Sequence, residues 1–182
     1  MIAESTLQAL RASLRGPVVV PQDSDYDEVR RIHNAMIDRH PAAIVRCAGV
    51  ADVVAAVKFA RQHALLVAVR GAGHNIAGTS LCEGGVVIDL SRMKSVRVDP
   101  ARSTVRVEAG ATWADLNHEL QVFGLAATGG RAAVDNPQRG TVPRGTMGVE
   151  KRAGYRVTRY LQGSKYRATR FPWLGKSAKN TV

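Results

Sequence analysis

The sequence is poor in cysteine, with only Cys47 and Cys82 in 182 residues. The two thiols show no metal-ligand spacing. They are expected as reduced structural thiols. Long apolar runs are missing as well: no stretch approaches the roughly 18 residues of a membrane span. The opening residues, MIAESTLQAL, lack the basic start and apolar stretch of a secretory leader. These absences predict a cytoplasmic protein with no membrane partner. Aromatic residues make up 5% of the chain, yet an apolar content of 45% is enough for one domain with a real core.

Acidic residues are scarce in one region only. Residues 131–182 hold 12 Lys and Arg against 2 Asp and Glu, whereas residues 1–130 hold 14 against 13. The net charge of +11 therefore belongs to a tail and not to the body. The tail has no sustained period of 2 or 3.6, and Gly, Pro, Arg and Lys are scattered through it. It carries too little apolar surface to offset ordering, which predicts an irregular or disordered basic segment. Five of the nine aromatic residues lie there: Tyr155, Tyr160, Tyr166, Phe171 and Trp173. Bases stack on aromatic rings and phosphates attract Lys and Arg, so non-specific nucleic-acid binding is the alternative function. A solvated charge run is the plainer reading, and a nucleic-acid partner is not expected.

The first 130 residues are patterned. Residues 4–14 suit a short amphipathic helix, and PVVVP a brief extended segment. DSDYDEVRRIHN places acids before bases, as a helix dipole favours. AAIVRC reads as a buried strand. Val50, Val53, Val54, Val57, Ala60 and Ala64 then fall on one stripe of a 3.6-residue period, the clearest helix in the chain. LLVAV follows as an apolar strand, so strand, helix and strand predict a βαβ unit with a parallel pair. GGVVIDL is another buried strand. Val96 and Val98, then Val105 and Val107, alternate around a Pro-containing turn and predict a hairpin with one wet face. Thr112 and Asp115 have capping-box spacing. Trp113, Leu116, Leu120 and Phe123 form a stripe, and Gly124 closes the helix. The fold class is α+β: a parallel βαβ unit followed by antiparallel strands.

The stretch VRGAGHNIAG, at the end of LLVAV, carries the chemistry. A dinucleotide fingerprint needs G-x-G-x-x-G opening into a helix, but Ile76 stands at the third glycine position. Too few residues separate Asn75 from the next strand for a crossover helix. A loop with exposed backbone N–H groups remains, able to wrap a diphosphate because glycine allows close approach. Arg70 would add charge, and His74 would sit at the lip. On spacing alone, a turn with a solvated histidine is the favoured reading. His33, His40, His63 and His118 have no companion at metal spacing and read as surface or helix-end residues, so no metal is expected. Asp89 ends a strand and suits either cofactor contact or strand-end capping.

VRGAGHNIAG resembles the covalent-flavin loop of the berberine bridge enzyme-like oxidases, members of the vanillyl-alcohol oxidase/PCMH flavoprotein superfamily. RHPAAIVRC, VADVVAAVKFARQHAL, GGVVIDLSRMKSVRVDPARSTVRVEAGATWADL and GLAATGG resemble that family's consecutive blocks in the same order. The resemblance spans about residues 25–130. It implies the first subdomain and part of a PCMH-type FAD-binding domain over residues 1–130, with residues 131–182 as the irregular basic tail. It implies FAD as cofactor, contacted by Arg70, Gly71, Ala72, Gly73, His74 and Asn75, and by Thr128, Gly129 and Gly130 at the start of a second flavin-contacting stretch. His74 matches the histidine that carries the flavin covalently through its 8α-methyl carbon. Some relatives add a link through a cysteine beyond the GLAATGG block, where this sequence has none. The implied reaction is hydride transfer from an alcohol-, sugar- or alkaloid-like small molecule to covalently held FAD and then to dioxygen. The catalytic base is not identified.

After Gly130 the resemblance gives way to the basic tail. That break predicts a truncated or frameshifted remnant of a longer flavin oxidase, with turnover impaired in this chain.

Overall fold

The computed structural model describes residues 2–127 and the backbone of two short strands at 165–167 and 169–170. The chain divides into two compact units. The first comprises residues 1–94 and 109–111, and the second residues 95–108 and 112–182.

In the first unit, helix α1 (Glu4–Ala12) leads to strand β1 (Val18–Val19) and a single helical turn α2 (Tyr26–Val29). Strand β2 (Ala43–Arg46), helix α3 (Val50–Gln62), strand β3 (Val67–Arg70) and strand β4 (Val86–Asp89) complete it. The sheet order is β1-β2-β4-β3, with β1 antiparallel to β2 and the other three strands parallel. Alternate residues of β2 and β4 enter different cores. Ala43, Val45, Val86 and Ile88 pack with Leu7 and Leu10 of α1 and with Ala56 and Phe59 of α3. Ile44 and Val87 pack with Val19, Tyr26, Ala68 and Leu81. Cover on both faces is why AAIVRC and GGVVIDL read as unbroken apolar runs.

Three expectations need adjustment. The charged stretch after Asp23 forms only the four residues of α2, and the chain then crosses to β2 without a regular element. The strands of the βαβ unit are parallel but do not pair with each other, because β4 lies between them. All four residues of β4 are buried, whereas β3 alternates between exposed and buried. An alternating segment suits a sheet edge better than a centre. Finally, α3 turns a different face inward than its valine stripe suggests. Asp52, Ala56, Phe59 and Ala60 are buried, while Val50, Val54 and Val57 are exposed. The small side chains of Ala56 and Ala60 let the helix approach the sheet, and Asp52 is drawn in by amide donors. Its carboxylate accepts hydrogen bonds from the N–H groups of Arg15 (3.0 Å), Gly16 (3.0 Å) and Ala48 (2.8 Å).

The second unit contains the expected hairpin, β5 (Val96–Asp99) and β6 (Thr104–Val107), with Val96 opposite Val107 and Val98 opposite Val105. Helix α4 (Trp113–Gln121) starts with the predicted capping box. Thr112 N–H donates to Asp115 Oδ2 (2.8 Å), and Asp115 N–H donates to Thr112 Oγ1 (3.3 Å). Trp113, Leu116 and Leu120 are buried, and Gly124 takes the left-handed conformation (φ +60°) after the helix end. Strand β7 (Leu125–Ala126) follows. Within the tail read as irregular, β8 (Lys165–Arg167) pairs antiparallel with β6, and β9 (Thr169–Arg170) with β7. Strand edges with unpaired N–H and C=O groups accept such short additions without an apolar period. Among the described residues, no helix is long and apolar enough to cross a membrane.

Candidate functional site

The three parallel strands of the first unit each end in a charged residue. Arg46 of β2, Asp89 of β4 and Arg70 of β3 lie in one register row, with Asp89 between the two arginines. Ligands of open parallel sheets bind beyond the carboxyl ends of the strands. A cleft of about 450 Å³ lies there, lined by Glu28, Val29, Arg31, Ile32, His33, Arg46, Arg70, Gly71, Ala72, Gly73, His74, Asp89 and Ser91.

Arg70 contributes a wall, but its charge is already engaged. The side chain is buried; Nη2 donates to Asp89 Oδ2 at 2.7 Å, and Nη1 donates to the carbonyls of Val29 (2.7 Å) and Arg31 (3.4 Å). Asp89 also accepts the N–H of Ser91 (3.0 Å). Its role is thus to hold Arg70 and close the strand end. Arg46 is less committed. Its Nε is buried without a hydrogen-bond partner among the described residues and lies 3.6 Å from Asp89 Oδ2. Asp89 thus offsets part of its charge, while the side chain, 32% exposed, lines the cleft.

The glycine loop follows Arg70 directly. Gly73 has φ +77°, a conformation that side chains rarely adopt, and its carbonyl accepts the N–H of His33 (3.1 Å). His74 is half-buried on the lip, its ring stacked on that of His33 with centroids 4.5 Å apart and planes at 22°. Asn75 is not among the lining residues. Its side chain accepts the N–H of Thr79 (3.0 Å), and its carbonyl accepts the N–H of Gly78 (3.2 Å), which makes it the residue that turns the loop.

Of the residues expected from the sequence, the cleft gathers Arg70, Gly71, Ala72, Gly73 and His74. Thr128, Gly129 and Gly130 lie outside the described residues, as do the side chains of the aromatic, basic tail. Sequence reasoning missed Arg46, Arg31 and His33. The charged row had a visible signal: AIVR, VAVR and VVID each close three apolar residues with a charge. His33 had none, because it comes from a segment 41 residues before His74. Cys47 and Cys82 are buried free thiols. Burial, with the charges of Asp52 and Asp89, pushes the Cys47 thiol up to about 11, so it is no nucleophile at neutral pH.

A family described as "FAD binding domain" matches residues 41–148, a stretch that reaches beyond Gly130. The (R)-6-hydroxynicotine oxidase of Paenarthrobacter nicotinovorans is 36% identical over 126 residues, covering 69% of this chain and 28% of that protein. The uncharacterized FAD-linked oxidoreductase YgaK of Bacillus subtilis is 34% identical over 123 residues, covering 68% of this chain and 27% of its own. Among solved structures, 6-hydroxy-D-nicotine oxidase from Arthrobacter nicotinovorans superposes with a TM-score of 0.68 at 33% identity, covering 75% of this chain and 29% of that one. The Physcomitrella patens BBE-like 1 protein gives 0.67 at 27% identity, covering 72% and 29%. The chain thus spans little more than a quarter of the length of these relatives.

Proposed function

The chain belongs to the FAD binding domain family, and from that membership we propose that the cleft at the ends of β2, β4 and β3 is where the flavin cofactor sits, with His74 as its covalent anchor. One observation carries this reading: an imidazole on the lip of a cleft walled by a side-chain-poor loop and by arginines. The residues present fit a dinucleotide. The positive φ of Gly73 turns the loop tightly, and the bare backbone of Gly71 to Gly73 allows close approach to a diphosphate. Arg46 and Arg31 line the cleft and supply guanidinium groups, the donor type that suits phosphate oxygens. Arg70 acts one step back, by fixing the segment that carries Arg31. Thr128, Gly129 and Gly130 would add the second contacting stretch.

A neutral histidine ring nitrogen is a competent nucleophile, so His74 would hold the flavin through its 8α carbon, which would give up a proton to solvent and two electrons to the flavin ring, and from there to dioxygen, as the C–N bond replaces a C–H bond. Bound there, the flavin would supply a two-electron acceptor for hydride from a small alcohol-, sugar- or alkaloid-like substrate, with dioxygen as the final acceptor. The relatives named as oxidases and FAD-linked oxidoreductases support this class of reaction. The test is intact mass after expression with FAD. A gain equal to one FAD, stable to acid and absent in His74→Ala, is expected. An unchanged mass for the wild-type chain, or a gain that survives His74→Ala, would refute the anchor.

A further inference from the structure

Residues 29–34 lie against the glycine loop and are fastened to it at several points. Arg70 Nη1 donates to the carbonyls of Val29 (2.7 Å) and Arg31 (3.4 Å). The N–H of His33 donates to the carbonyl of Gly73 (3.1 Å), and Asn34 Nδ2 donates to the carbonyl of Ile76 (3.1 Å). These ties flank the stacked pair of His33 and His74, whose centroids are 4.5 Å apart. The backbones on either side of the two rings are therefore tied to each other, which keeps the rings within stacking distance.

We propose that His33 is a positioning residue: its ring packs on the His74 imidazole and restricts it to one orientation at the mouth of the cleft. The proposal rests on reading His74 as the flavin anchor, and it concerns ring placement alone. A flat ring against the imidazole face narrows the rotamers open to His74, and a reacting group gains rate when held close to its productive orientation. The required property of residue 33 is a flat aromatic face. An imidazole supplies it, and a phenyl ring would supply it equally.

That distinction makes the role testable in the full chain. His33→Ala removes the face, and His33→Phe keeps it. With ring-labelled histidine and no FAD present, the wild-type protein should show cross-ring NOEs between residues 33 and 74. The His74 ring protons should move to their unstacked shifts in His33→Ala and remain ring-current shifted in His33→Phe. At saturating FAD, the rate of acid-stable flavin incorporation should fall about three- to tenfold in His33→Ala, the range an aromatic pair is worth, and recover in His33→Phe. Absent NOEs in the wild type, an unchanged incorporation rate in His33→Ala, or failure of His33→Phe to restore it would each overturn the role. If the wild-type chain takes up no acid-stable flavin, the anchor assignment fails, and the NOE and shift data alone decide whether His33 orders His74.

Discussion

Asp52 and Asp89 are equally buried, at 1% exposure each, and are satisfied in contrasting ways. Asp52 accepts three backbone N–H groups, from Arg15, Gly16 and Ala48. Asp89 accepts one backbone N–H, from Ser91, and a guanidinium, from Arg70, with Arg46 close by. A carboxylate bound by amides ties main chain to main chain. One bound by guanidinium groups is held by side chains whose remaining atoms line a cleft. The first arrangement is a rivet, and the second leaves part of its charge available to a ligand. Cys47 connects the two regions, since its N–H donates to the Asp89 carbonyl (2.9 Å) and both carboxylates raise its thiol.

Breaking the Asp89 end should have the larger effect. Asp89→Ala leaves the buried Arg70 guanidinium without its counter-charge, which costs about 3–5 kcal/mol. Urea unfolding should show that loss, and a change below about 1 kcal/mol would mean that Arg70 finds another partner. At the other end, Asp52→Ala deprives three amides of their acceptor, and a loss of about 2–3 kcal/mol is expected in the same measurement.

The pH dependence sharpens the contrast. Burial alone would push the Asp52 carboxyl up, but the amides of Arg15, Ala48 and Gly16 outweigh it and hold the group below its ordinary value of 3.8. A depressed folded-state value adds stability that is fully present above the unfolded value and is lost as pH falls through the folded one. The stability gap between wild type and Asp52→Asn should therefore be flat near neutrality and narrow only in acid below that ordinary value. A gap that closes well above it would contradict the amide account. The smallest effect belongs outside both anchors. Val54, at 47% exposure on α3, should tolerate Val54→Thr within about 0.5 kcal/mol, as surface positions do. A larger loss would show that its face is covered.

Much of this was legible in the residues. Apolar runs located β2 and β4, alternating valines located the hairpin, and Thr112 with Asp115 located the start of α4. The glycine pair and His74 marked the loop that lines the cleft. What escaped was everything decided by partners remote in sequence. Periodicity places Val50, Val54 and Val57 on a common arc of α3 but cannot say that Asp52, held by amides from residues 15 and 16, turns the neighbouring arc inward. Continuous apolar strands do not reveal that β4 separates β2 from β3. Arg70 reads as a phosphate ligand from its place beside the glycines, because its engagement with Asp89 depends on a register that only the assembled sheet supplies. His33 was invisible for the same reason: its contact is made by the fold and not by its own neighbours.

Gly16 carries one further lesson. A Cβ atom there would come within 1.9 Å of the Arg46 carbonyl oxygen. The next residue, Pro17, accepts the Arg46 N–H (2.9 Å). The turn that feeds the Asp52 rivet is thus pressed against the strand end that supplies an arginine to the cleft. Any side chain at position 16 would push on the Arg46 backbone, so a lesion in this bend would be felt as a displaced wall of the cleft.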